Sequence, residues 1–354
     1  MQAGGDAVSI PVSQANRKIS ATTTISNPYP IGNSQEDLQV KLIWADSPNG
    51  FNDNGPVKTA RIDYTEGFGP KARLIVESGS KAGNAVIAVT NAQGDIHWSW
   101  HIWVVDDGFD PYNGSGWEGF RYYEFLDRNL GALSNIGGDP KSLGLYYQWG
   151  RKDPFPAAAG IKSTVFSDRY NEEGKLPALA TYPNAWNETT ENLFRQAMQR
   201  PDVFITYYGH WFSPNSPGSQ VTSDFWNVTE NGSISTSVKG VMDPCPEGWK
   251  TIPAGDNLHD DWYQLLQQTV YESSGHYTKL LGVMPHAGYI NGSTGTLTDI
   301  DNATYWTGTT NDFDYAFRIQ AKPNGNGHAS SVINKSSGLS VRCMRRVATS
   351  KIIQ

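Results

Sequence analysis

Ala85-Val86-Ile87-Ala88-Val89-Thr90, then Asn91-Ala92-Gln93-Gly94-Asp95, then Ile96-His97-Trp98-Ser99-Trp100-His101-Ile102-Trp103-Val104 is where the architecture is most plainly written. Two runs rich in β-branched and aromatic residues flank a short polar turn, which predicts a β-hairpin. Alternate side chains of a strand point to opposite faces, so Ile96, Trp98, Trp100, Ile102 and Val104 are expected on a core face. His97, Ser99, His101 and Trp103 then share the other face. On a strand His97 and His101 lie about 13 Å apart, too far to ligate one ion.

Outward from the hairpin, Val8 to Val12, Leu38 to Trp44 and Ala72 to Val76 also read as strands. Between them lie turn-rich stretches, Asp46-Ser47-Pro48-Asn49-Gly50 and Asn52-Asp53-Asn54-Gly55-Pro56. Roughly seven strands between residues 6 and 106 is the size of a small β-sandwich. Asp106-Asp107-Gly108-Phe109-Asp110-Pro111 reads as a linker, dividing the chain into domains 1–106 and 107–354. The second has longer, aromatic-bearing loops and two expected helices. Thr190 to Arg200 puts Leu193, Phe194, Ala197 and Met198 on one face before Pro201, and Asp260 to Val270 does the same with Trp262, Leu265, Leu266 and Thr269.

Composition narrows the function classes. Glycine (36) and proline (20) are plentiful and charged residues make up only 18 %, which favours strands and loops over helices. Net charge is −7 and no basic run exceeds Arg345-Arg346, so the counterion-releasing stripe of a nucleic-acid binder is missing. No run approaches the length of a membrane-spanning helix. Met1 to Asp6 lacks a basic and an apolar segment, so any export signal of a parent chain is expected to have been removed.

Catalytic patterns are missing too. No Gly-x-Ser-x-Gly elbow occurs. The seven histidines are scattered, and His259-Asp260-Asp261 reads as the start of a helix, where acidic residues suit the dipole. A glycosidase needs only two carboxylates at the right separation, which sequence does not display. The two cysteines sit in Asp243-Pro244-Cys245-Pro246-Glu247-Gly248-Trp249 and Ser340-Val341-Arg342-Cys343-Met344. They are either two buried thiols or a bridge across 98 residues, worth about 4 to 5 kcal/mol and persistent only outside the cytosol.

Two ligand options remain. Calcium takes carboxylate and carbonyl oxygens from irregular loops, and Asn311, Asp312 and Asp314 lie close together after Trp306; the alternative is a solvated turn. Tyr207, Tyr208, Trp211 and Trp226 sit with Trp306 in polar, Pro- and Gly-punctuated sequence. They suit sugar stacking or protein contact, or else pack beneath long loops. The seven Asn-x-Ser/Thr sequons, from Asn113 to Asn334, reflect the composition of these loops.

Gly83-Asn84-Ala85-Val86-Ile87-Ala88-Val89 with Trp98 to Trp103 resembles the β-domain of Bacteroidetes fimbrillin-like surface proteins. Asp127-Arg128-Asn129-Leu130-Gly131-Ala132, Gly144 to Phe155, Cys245-Pro246-Glu247-Gly248-Trp249 and Gly338 to Cys343 follow in order. That set resembles the domain named after the major paralogous proteins of Fibrobacter succinogenes, as found in fimbrial tip and accessory subunits. The resemblance covers about residues 83 to 346. It implies a β-rich, two-domain chain, with an Ig-like or transthyretin-like sandwich before an α+β domain of C-type-lectin-like fold with long loops and one Cys245–Cys343 disulfide. It also implies a non-catalytic adhesion protein, extracellular on the bacterial cell surface or at a pilus tip. Its partners would be other pilus subunits, docked by strand addition, and a host or bacterial surface glycan or protein. The alternative is a glycan-binding surface lipoprotein of a polysaccharide-utilisation system. No cofactor other than calcium is expected. The lectin triplet Glu-Pro-Asn and a Trp-Asn-Asp tripeptide are missing, which separates the chain from calcium-dependent lectins. In such a family Arg128, Asn129, Gln148, Trp149, Arg151 and Asp153 would hold the fold, and any ligand site would lie between Pro156 and Met242. The ending from Arg345 to Gln354 is short and makes a poor donor strand, as expected of a tip subunit.

Overall fold

A computed structural model describes residues 1–20, 25–32, 37–48, 50–113, 122–156, 168–176, 179–183, 189–212, 224–228, 238–254, 270–272, 275–278, 281–322 and 328–346. The chain is β-rich, with several separate sheets. The expected helix from Asp260 lies outside the described residues up to Val270, which begins a short strand, and so do the chain end beyond Arg346 and parts of the 156 to 242 insertion.

The first six strands are β1 (Ala7–Pro11), β2 (Gln39–Ala45), β3 (Val57–Asp63), β4 (Arg73–Ser78), β5 (Gly83–Thr90) and β6 (Ile96–Val104). They form two layers. One is a three-stranded sheet in the order β1-β4-β3 and the other contains β2-β5-β6. The hairpin read from sequence is present, with Ala85 opposite Ile102 and Ile87 opposite Trp100. Every residue of β5 is buried, because the central strand of a sheet covered on both sides has no solvent face.

The second cover comes from beyond residue 106. After β7 (Tyr112–Asn113), β8 (Tyr123–Phe125) and β9 (Tyr146–Gln148), the short hairpin β10 (Arg169–Asn171) and β11 (Gly174–Leu176) joins the free edge of β2, with Tyr170 opposite Ala45. One apolar core runs from Val12 and Leu74 through Trp98 to Trp149, Leu193 and Trp226. Residue 106 therefore marks a change of texture with a continuous core across it. The face of β6 expected to lie opposite the core is covered as well. Ser99 donates to Asp153 at 2.6 Å, Trp103 Nε1 to the Ala132 carbonyl at 3.0 Å, and His101 Nδ1 meets the Tyr147 hydroxyl at 3.0 Å.

Helix α1 (Thr190–Gln199) is capped by the Thr189 side chain and buries Leu193, Phe194, Ala197 and Met198, the stripe its sequence predicts. The largest sheet of the second region is built on Ala303–Thr310, Tyr315–Ala321 and His328–Asn334, with Gly338–Ser340 linking β9 to it. A four-stranded sheet carries Lys250–Thr251 and Cys343–Arg346 beside β8 and β7. The Cys245–Cys343 disulfide fastens the loop before Lys250 to this sheet. Among the described residues no helix is long and apolar enough to cross a membrane.

Candidate functional site

Segment 147–151 organises the second region. Its carbonyls are capped by indole N–H donors: Trp306 donates to Tyr147 at 2.7 Å, Trp211 to Trp149 at 2.8 Å and Trp226 to Arg151 at 3.2 Å. These three tryptophans are at most 1 % exposed. Of the two readings open from sequence, ligand stacking or packing beneath loops, their burial fits the second. Each fills the core with its ring and uses its one polar atom on a backbone acceptor, the arrangement that makes a buried tryptophan stable.

The family-implied scaffold residues are buried and bonded. Arg128 forms two hydrogen bonds with Asp127, both at 2.9 Å. Gln148 bridges the Ile205 and Ser336 carbonyls at 2.8 and 2.6 Å, and Arg151 reaches Gln148 and the Val203 carbonyl at 3.0 and 2.8 Å. Arg342, which lies in a quoted motif but was given no role from sequence, is the hub of the same web. Its guanidinium donates to the carbonyls of Leu126, Leu281 and Val283 and to Asn129 Oδ1, all within 2.9 Å. Gly131 sits at φ +83°, and a Cβ there would lie 2.6 Å from Leu145, so the turn of that motif requires glycine.

Tyr207 and Tyr208 are placed beside the acidic turn. Ser336 donates to the Tyr207 carbonyl at 2.7 Å and to the Gly209 carbonyl through its amide at 3.0 Å, while Tyr208 is 74 % exposed. The turn's oxygens are already occupied. Asp312 Oδ1 accepts the amides of Asp314 and Tyr315 at 2.9 and 2.8 Å, and Asn311 Nδ2 donates to Asp312 Oδ2 at 2.9 Å. The buried Lys335 ammonium takes the Asp312 and Phe313 carbonyls at 2.6 and 3.0 Å. A cation of the chain therefore sits where calcium would draw its carbonyl ligands. Burial pulls the Lys335 ammonium down to about 7, against the opposing pull of Asp312 and Asp314. Among the described residues no group of three or more His, Cys, Asp or Glu is gathered to hold a metal.

A feature without a sequence signal stands out instead: a cleft of about 1150 Å³ between β1, β6 and the loop around Cys245. β1 and β6 are the end strands of their two sheets, so the sandwich is open along this side. The Met1 ammonium donates to the Trp103 carbonyl at 3.0 Å, which shows that Trp103 points its backbone away from β5. Residues alternate along an antiparallel strand, so Ser99 and His101 turn their backbone groups the same way, with Ser99 only 1 % exposed and the carbonyl of His97 on that side taken by Asn27 Nδ2 at 2.6 Å. Met1 to Ala3 run parallel to Val105 and fill only the far end of this edge. Trp98, Trp100 and Ile102 line the cleft, and of the three only Trp100 is more than a few per cent exposed.

The opposite wall is held by charge. Asp243 accepts from Lys239 at 2.6 Å and from the amides of Cys245 and Thr251, both at 2.8 Å, which fixes the disulfide loop. Arg345 pairs with Glu124 at 2.7 Å and lies 4.5 Å from the centre of the Trp249 ring. Lys152, paired with Asp153 at 2.8 Å, also bonds the Ser99 hydroxyl on β6. His101, held between Asn84 and Tyr147, is driven down to about 3 by burial and stays neutral. Comparison with protein-family models, curated proteins and solved structures returns no match for this chain.

Proposed function

We propose that this chain is a non-catalytic adhesion protein of the bacterial cell surface, a tip or accessory subunit of a Bacteroidetes-type pilus. In this reading the N-terminal region is an Ig-like or transthyretin-like sandwich short of one strand, and the second is a C-type-lectin-like domain. Another pilus subunit supplies the missing strand. The observation that carries the reading is the place of β6 at the end of its sheet, bordering a cleft of about 1150 Å³. An unpaired edge over an open core is the acceptor half of strand addition. The Cys245–Cys343 bridge suits an oxidising, extracellular setting.

The test is to mix the purified chain with a fimbrial stalk subunit carrying a free donor strand and to follow amide hydrogen exchange. The expected result is a one-to-one complex with slowed exchange at Ser99, His101 and Trp103. No complex, or a complex in which these amides exchange as in the free chain, would overturn the reading, and so would polymerisation of the purified chain alone.

One observation favours the glycan-binding alternative, the exposed Tyr208 ring beside the Asp312 turn. Selective binding on a glycan array that Tyr208→Ala abolishes would support it, and a blank array would remove it.

A further inference from the structure

We infer that the strand His328–Asn334 pairs along its outer edge with the same strand of a second copy of this chain, closing a two-fold dimer. The inference is independent of the strand-acceptor reading. This strand ends the largest sheet, and among the described residues it pairs only with Tyr315–Ala321.

Three hydrogen bonds fix which of its backbone groups face outward. The Lys335 amide donates to the Asp314 carbonyl at 2.9 Å, the Asn311 amide to the Tyr315 carbonyl at 3.0 Å, and the Thr307 hydroxyl to the Phe317 carbonyl at 2.9 Å. Tyr315 and Phe317 therefore turn their backbones towards Ala303–Thr310 and its turn, while Asp314 turns towards the end of His328–Asn334. Directly opposite residues of an antiparallel pair either exchange both bonds or both turn away. Val332 lies opposite Phe317, so its N–H and C=O point out from the sheet edge. Val332 is 39 % exposed, and neither group has a partner among the described residues.

Exposed edges are ordinarily guarded by charge or proline. β3, an end strand of the first layer, carries exposed Lys58 and Arg61. His328–Asn334 contains no Lys, Arg, Asp, Glu or Pro. It therefore has no charge with which to select a foreign strand, and two copies of a chain of net charge −7 meet here without like charges opposed. A two-fold axis at Val332 lets its N–H donate to the C=O of the partner's Val332 and accept the reciprocal bond, an isologous contact. Half-buried Phe317 neighbours Val332 across the strand pair, so the dimer joins two short apolar strips into one. Pairing consumes the edge on both chains, and assembly stops at two copies.

The test is sedimentation of the intact chain across micromolar concentrations, with amide exchange read on the same samples. The mass is expected to rise from one copy towards two. The Val332 amide should slow with concentration, while the Ile333 amide, turned inward to Ala316, keeps its rate. Val332→Lys sets two ammonium groups opposite each other and should weaken the dimer about fivefold or more, with thermal unfolding unchanged because the position is exposed. Val332→Ile should retain it. A single mass at every concentration would overturn the inference, even if a foreign strand peptide bound this edge. So would a dimer that Val332→Lys leaves intact, or growth beyond two copies.

Discussion

The sandwich and the second region solve the same burial problem with different chemistry. Along β5 the interior is aliphatic, with Ala85 through Val89 all inaccessible to solvent. Such a core is held by apolar area and strand pairing. The second region buries Arg128, Arg151, Arg342 and Lys335 and spends them on backbone carbonyls. Loops leave many carbonyls without strand partners, and a planar guanidinium satisfies several of them at once. A region of short strands joined by long loops can thus be rigid, but its rigidity rests on polar groups that have no substitute when one is lost.

The contrast breaks most sharply at Arg342. Arg342→Met should cost about 4 kcal/mol, because several buried acceptors lose their donor together. Ile87→Val, the removal of one buried methylene from β5, should cost about 1 kcal/mol. Urea unfolding of the two variants checks this, and comparable losses would mean that the polar web is not what holds the second region. Next in size, replacing both Cys245 and Cys343 with serine should cost about 3 kcal/mol, read as a lower unfolding midpoint in the same assay.

The two regions also have opposite pH responses. On the sandwich side, burial raises the Asp46 carboxyl to about 7, despite hydrogen bonds from the Asn84 amide and side chain. The native chain then holds a proton that the unfolded chain has released, so stability falls as pH rises from about 4 to about 7. For Lys335 the unfolded chain holds the extra proton above about 7, so stability rises from there towards the ordinary lysine range. A stability minimum near neutral pH is expected. Asp46→Asn should flatten the acid limb and Lys335→Met the alkaline one, measured as ΔG of unfolding against pH. The smallest effect is expected at Tyr208→Ala, within about 0.5 kcal/mol of the parent in thermal unfolding, because an exposed ring supports no packing.

The same contrast explains what was legible in the sequence. Strands β2, β4, β5 and β6 follow from alternation or apolar runs, and the buried stripe of α1 follows from its helical spacing. These are local patterns. The burial of Trp211, Trp226 and Trp306 depends on carbonyls of residues 147–151, which come from 62 to 159 positions away. No window around those tryptophans could display that. Nor could the cleft be read, because its walls, β1, β6 and the loop around Cys245, come from distant parts of the chain. The burial of His97, Ser99 and Trp103 on the second face of β6 could not be read either, because segments far along the chain cover them.

The direction of Met1 to Ala3 has a practical side. Because this segment runs parallel to Val105, a peptide fused ahead of Met1 is aimed back along β6 towards His101 and Ser99. On the strand-acceptor reading proposed above, an amino-terminal affinity tag would compete intramolecularly for this edge at high effective concentration, and its sequence would become part of any binding measurement.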